Sequence, residues 1–230
     1  MPSRGRPERA RQAVQAIRDT AVMVETCVAL VVDADDPTLP AYRALQFQPF
    51  GAEVMVVVLQ PEDTGNLVRA TNTVSMRIAD VDPDGIIGNL GDDHLCRTRG
   101  WDRRIIDALA TPGIAYGDDL IQGETLPTAP FISASIVDAL GYYFVPDVEH
   151  MYCDNAVRDI AEQAGVRRYL PEVVIEHVHP AVGKVDWDAG YIAVNDPRAI
   201  ARDKARYESW REHAMATDVG RVRAMLERAA

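Results

Sequence analysis

"TCVALVVDADDP", residues 26–37, is a valine-rich run that breaks into three carboxylates and a proline. An apolar run of that length, rich in β-branched residues, reads as a buried strand, and Asp33, Asp35, Asp36 and Pro37 as the polar loop that ends it. "EVMVVVLQ", residues 53–60, is a second strand of the same kind. Helical spacing surrounds both. Gly5-Arg6-Pro7-Glu8 opens a helix with its proline in the first turn, followed by Ala10, Ala13, Val14 and Ile17. Leu67, Ala70, Thr71, Val74 and Ile78 mark the next helix, and residues 85–90 a third strand.

The alternation continues. Trp101-Asp102 opens a helix carrying Ile105, Ile106 and Leu109; residues 113–120 form a short strand; residues 133–140 are helical and close at Gly141. Asp154 is placed to N-cap a helix through Val157, Ile160 and Ala164 that stops at Gly165. Residues 168–180 form a late strand, which Pro171 puts near a sheet edge. The class is α/β: a mixed, mostly parallel Rossmann-like sheet flanked by helices. From residue 196 the chain turns charged and helical, with Tyr207, Trp210, Val219, Val222 and Leu226 as packing residues. The division expected is a domain over residues 1–195 and a helical extension over 196–230, an appendage or a homo-oligomer contact.

At 230 residues the chain has room for one substantial domain with such an extension. It holds no apolar stretch long enough to span a bilayer, so no membrane partner is expected, and its charged opening is not a secretory signal. Cys27, Cys96 and Cys153, odd in number and far apart, suit reduced thiols in a cytoplasm. A net charge of −11 argues against a grip on many nucleic-acid phosphates. Arg97, Arg99, Arg103 and Arg104 fit either a small phosphorylated ligand or a solvated surface.

Ligands of such sheets collect beyond the carboxyl ends of the strands, which sets Asp33 and Asp92-Asp93 on one rim. Adjacent carboxylates need water, a cation or donors to neutralise them. In "IIGNLGDDHLCRTRGWD", residues 86–102, Asp92, Asp93 and His94 follow a strand end, and Mg²⁺ or Mn²⁺ would suit the carboxylates. A turn cap is the plainer use of the same residues. His177 and His179, in "IEHVHP", project to one face of an extended segment and can ligate a metal or bind phosphate. Asp154, held at a helix start, can serve as a general base or simply as a cap.

The order of these motifs resembles phage-encoded glycosyltransferases of the GT-A type, related to the large family-2 group. "PSRGRPE", "VVDADDP", "NLVRATN", "GNLGDDH", "GWD", "LPTAPFISASIVDALGYY", "CDN" and "EHVHP" follow one another over about residues 1–195. The resemblance implies a sugar transferase using a nucleoside-diphosphate donor, a UDP- or GDP-sugar, and Mn²⁺ or Mg²⁺. It implies donor contacts from Pro2, Ser3, Arg4, Arg6, Asp33, Arg69, Asn72 and Asp92. Asp93 becomes the metal carboxylate, with His179 or else His177 completing the shell, and Asp154 the base of an inverting reaction. Gly91 stands where the family has its first aspartate, and the family's first strand is missing or shortened. Acceptors implied are a virion protein, modified DNA or a glycan, in a host cytoplasm. The rivals are a sugar-phosphate nucleotidyltransferase, which would want a lysine near the opening loop where none precedes Lys184, and a non-catalytic nucleotide-sugar or carbohydrate-binding protein.

Overall fold

In the computed structural model, residues 1–47, 53–60 and 66–229 are described. The first half runs α1 (Pro7–Thr20), β1 (Cys27–Asp33), α2 (Leu39–Arg43), β2 (Glu53–Leu59), α3 (Leu67–Val81), β3 (Ile86–Gly88), β4 (His94–Cys96) and α4 (Trp101–Ala108). The second runs β5 (Ile114–Asp118), β6 (Phe131–Ser133), α5 (Ala134–Leu140), α6 (Cys153–Ala164), β7 (Arg167–His177), α7 (Ala189–Val194), α8 (Pro197–His213) and α9 (Met215–Ala229).

β1 and β2 pair in parallel from Cys27↔Glu53 to Asp33↔Leu59. The other five strands form one mixed sheet in the order β3-β6-β5-β7-β4, in which β5 and β7 are parallel. The expected α/β architecture of a parallel-containing sheet flanked by helices with a helical C-terminal stretch is observed, but the five-stranded sheet is not mostly parallel: β3–β6, β5–β6 and β4–β7 run antiparallel. Beside β1, Pro2 bridges Val31, with Ser3 N donating to Val31 O at 3.0 Å and Val31 N to Met1 O at 2.9 Å. Residues 1–3 thus run as a short extended piece beside β1.

Two details correct the sequence reading. The late strand is not at an edge: β7 pairs with β5 through its first half and with β4 through its last residues. Pro171 falls where Gly117↔Leu170 jumps to Asp118↔Val174, so a bulge takes up the residue that cannot donate to the ladder. Gly117 is required there, because a Cβ would run into the carbonyl oxygen of Val173. The short strands β4 and β6 escaped the reading because three residues carry too little periodicity.

The sheet separates two cores. Ile114 and Ile132 face one that includes Phe144, Ile160, Tyr207, Trp210 and Val222; Ala115 and Phe131 face one that includes Val14, Leu30, Tyr42, Trp101 and Val173. Successive strand residues serve opposite faces, as the pleat requires. Tyr207, Trp210, Val219 and Val222 are buried in this chain itself, so α8 and α9 are part of the fold around β5–β6. The sequence change at residue 196 therefore does not mark a separate core. Among the described residues, no helix is long and apolar enough to cross a membrane.

Candidate functional site

The opening loop is tied to both expected strand ends. Ser3 Oγ donates to Asp92 Oδ2 at 2.6 Å and lies 2.7 Å from the Tyr42 hydroxyl, which also accepts from Arg6 N at 2.9 Å. Arg4 reaches Asp33 at 2.5 Å and Asp35 at 2.6 Å, and Gly5 N donates to Asp36 at 2.7 Å. Arg6 reaches Asp92 at 3.4 Å. Pro2, Ser3, Arg4, Arg6, Asp33 and Asp92 thus gather on one rim. Asp92 is buried, which pushes its carboxyl above the usual range; Ser3 and Arg6 pull it back and Asp93 adds to the rise.

Arg69 and Asn72 lie elsewhere in their duties. Arg69 is exposed on α3, its backbone N–H given to the Asn66 cap. Asn72 holds the segment after α5: its amide donates to Phe144 O at 2.7 Å and accepts from Tyr143 N and Phe144 N at 3.0 and 2.8 Å. Those contacts use most of the capacity a nucleotide would need. Asp102 of "GWD" is likewise structural. Buried, it accepts from Val22 N, Met23 N and Thr26 Oγ1 and fixes the turn entering β1.

Where β4 meets β7, His94 is the cross-strand partner of His177, and their rings stack at 4.3 Å. Directly opposed residues on an antiparallel ladder bring their side chains together. Asp93 lies between them in effect: Oδ1 is 3.0 Å from His94 Nδ1, Oδ2 is 3.4 Å from His177 Nε2, and its carbonyl accepts from Val178 N at 2.8 Å. Burial works against the Asp93 charge, yet His177 and His94 hold its carboxyl well below the usual range. One ligand atom from each of Asp93, His94 and His177 lies within 4.8 Å of the others.

A divalent cation fits this group. A carboxylate and two imidazoles are a recognised donor set, and His94 Nε2 is a buried nitrogen with no hydrogen-bond partner. His94, undecided in the sequence, is the third member. His179 stands beside the group: its Nδ1 accepts from Ala181 N at 3.2 Å, and its ring packs against His177 and Tyr191 at 4.9 and 5.0 Å. Gly91 also has a physical reason. A Cβ there would collide with the Asp93 carboxylate, and Gly91 N lies 3.1 Å from His94 Nδ1.

Asp154 is not the N-cap of α6. Tyr152 holds that position in the left-handed region at φ 67°, and Asp154 is the second helical residue. Burial raises its carboxyl to about 7, with Cys153 and His177 opposing and Asp119 reinforcing the rise. Asp119 ends the β5 segment, accepting at Oδ1 from Ile121, Gln122 and Gly123 N–H groups and at Oδ2 from Thr128; it lies 4.0 Å from His177 Nδ1. Despite its burial, those donors hold Asp119 low. His177 thus lies within reach of two carboxylates held low, Asp93 at 3.4 Å and Asp119 at 4.0 Å, and its charge acts on a third, Asp154, that burial holds high.

Sequence reasoning missed Asp119, Arg9, Asp188 and Tyr191. Tyr191 donates to Asp93 Oδ2 at 2.7 Å and lies under the Arg6 guanidinium at 4.1 Å, while Arg9 donates to its hydroxyl at 2.7 Å. Asp188 N-caps α7 and accepts from Arg6 at 2.5 Å. The cations around Tyr191 are therefore Arg6 and Arg9, with Arg4 beside Asp33. Arg97 pairs instead with Glu176 at 2.7 Å, and Arg99, Arg103 and Arg104 are exposed.

No family model matches the chain, and no curated protein matches it. A comparison with solved structures finds a likeness to a protein of Desulfovibrio desulfuricans G20 named a "putative nucleotide-diphospho-sugar transferase". The identity is 12% and the TM-score 0.49, over 96% of this chain and 84% of that chain.

Proposed function

We propose that the chain is a GT-A-type glycosyltransferase related to the family-2 group, moving a sugar from a UDP- or GDP-sugar to an acceptor hydroxyl with inversion. The observation that carries the reading is the meeting of two groups on one rim: the Ser3–Arg6 loop laced to Asp33 and Asp92, and the Asp93–His94–His177 set beside Asp154. The first is a cradle for a nucleoside, the second a pairing of cation ligands with a carboxyl poised to take a proton near pH 7.

Asp33 and Asp92 offer acceptors to the hydroxyls of a ribose, and Ser3 and Arg4 orient them. Arg6 and Arg9 supply positive charge toward the diphosphate. Asp93, His94 and His177 would hold a divalent cation, with His179 alongside; two imidazoles favour Mn²⁺ over Mg²⁺. When bound, such a cation neutralises the charge that builds on the departing diphosphate. Asp154 takes the acceptor proton, the acceptor oxygen bonds to the anomeric carbon, and the bond to the diphosphate oxygen breaks on the opposite face. The C-terminal helices belong to the catalytic body in this reading, and the acceptor is a virion protein, modified DNA or a glycan.

A panel of nucleotide sugars, scored for binding and for slow hydrolysis with and without EDTA, tests the proposal. Release of a nucleoside diphosphate, lost in EDTA and restored by Mn²⁺, is the expected result. Pyrophosphate release from a nucleoside triphosphate and a sugar phosphate would replace it with a nucleotidyltransferase. Binding without turnover would replace it with a carbohydrate- or nucleotide-binding protein.

A further inference from the structure

The loop that leads into Asp154 is held from α8. Asp203, 2% exposed, turns its carboxylate on three successive amides: Glu149 N at 3.2 Å, His150 N at 3.0 Å and Met151 N at 2.9 Å. Hydrogen bonds to an ionised acceptor are the strong ones, and a buried carboxylate with three of them makes a rigid clamp. The next residue is Tyr152, in a left-handed conformation that only glycine adopts without cost. Its ring stacks on Tyr207 of α8 at 5.3 Å, and the Cys153 thiol donates back to His150 O at 3.0 Å. Glu149 adds exposed pairs to Arg202 and Arg206 at 2.8 and 2.7 Å, which contribute little beside the buried clamp.

Apart from Val68 N of α3, which donates to Glu149 O at 3.3 Å, these contacts belong to residues 149–153 or to α8, and the segment emerges directly into Asp154. Strain at a single backbone position persists only where the surroundings over-determine it. Here the surroundings are Asp203 on one side of Tyr152 and Tyr207 on the other. We infer that Asp203 is a positioning residue for Asp154: α8 fixes the backbone of residues 149–152 and with it the direction from which the Asp154 carboxylate meets the acceptor. The inference rests on the proposed function, and it gives the C-terminal helix a part in the chemistry without any contact to substrate.

The test compares two rates in one sample of the full chain. One is transfer from the nucleotide sugar to free monosaccharides supplied as acceptors, and the other is slow hydrolysis of the same donor by water. Asp203→Asn keeps the shape and one acceptor oxygen but loses the charge and the second acceptor. Transfer is expected to fall by about 10- to 100-fold, the scale of a small misplacement of a reacting group. The donor KM and the hydrolysis rate should stay within about twofold, because the donor loop and cation ligands are untouched.

A role in folding alone would lower both rates together, and an unchanged ratio of transfer to hydrolysis overturns the inference. Asp102→Asn is the control. It removes a buried carboxylate that holds the turn entering β1 through Val22, Met23 and Thr26, and should lower the melting temperature with the ratio intact. An equal fall in its ratio would also overturn the assignment. Tyr152→Ala, which weakens the restraint without touching the buried carboxylate, must lower the ratio too, and serves if Asp203→Asn does not fold. A wild-type chain that neither transfers nor hydrolyses any nucleotide sugar overturns the functional reading itself, whereas an active wild type with an insensitive ratio overturns only Asp203.

Discussion

Replacing Asp154 by Asn should abolish most of the activity while making the protein more stable, and the second effect has a pH signature. The carboxyl sits at about 7 in the fold against 3.8 for the free side chain, mainly through burial. A raised acid means the native state binds the proton more tightly than the unfolded chain does. Asp154 therefore costs nothing below about pH 4. Its cost to stability grows as the pH rises toward 7 and levels off above it. The full difference corresponds to about 4 kcal/mol; Asp154 keeps partial contact with solvent, so about half that is a fair expectation. Asn carries no charge to bury. Urea unfolding should show the variant gaining about 1 to 2 kcal/mol on the wild type between pH 5 and pH 8. Transfer should fall by about 10²- to 10⁴-fold, as for loss of a general base, and wild-type kcat/KM should climb with pH through about 7. A variant with full transfer, or a stability gap identical at both pH values, would refute the reasoning.

Three further outcomes are expected. His94→Ala should weaken Mn²⁺ binding about tenfold or more, followed by electron paramagnetic resonance of the free ion, because one nitrogen of the donor set is lost. Tyr191→Phe removes the hydroxyl on Asp93 Oδ2 and should tighten Mn²⁺ binding severalfold in the same titration. A weaker site would mean that the phenol orients the carboxylate rather than competing for it. Gly117→Ala should destabilise the fold by about 1 to 3 kcal/mol in urea, since its Cβ meets the Val173 backbone at the β7 bulge; a neutral result would show that the bulge can shift.

The long apolar runs made the class legible. Residues 26–33 and 53–60 are strands as read, the first largely buried and the second only at Val54 and Leu59, and the α1 spacing of Ala10, Ala13, Val14 and Ile17 matches four buried side chains. The nearness of Asp33, Asp92 and the opening loop followed from strand ends sharing a rim. The third member of the Asp93–His94–His177 group did not, because His94 gains its place only by pairing with His177 in a three-residue strand invisible to periodicity. Pro171 misled for a related reason: a bulge is a property of two strands together. Asp203 and Asp119 gave no local signal, since a carboxylate that gathers backbone amides looks in sequence like any surface aspartate.

The β4–β7 ladder also has a consequence for how the protein comes into being. His94 and His177 are contributed by distant parts of the chain, and closing so large a loop is slow relative to forming local helices. A nascent chain on the ribosome therefore cannot assemble the Asp93–His94–His177 group, the proposed cation site, until β7 has emerged, whatever the state of its N-terminal half. Capture of the ion would then act as a late latch, adding its binding free energy only to molecules whose last strand has docked in register.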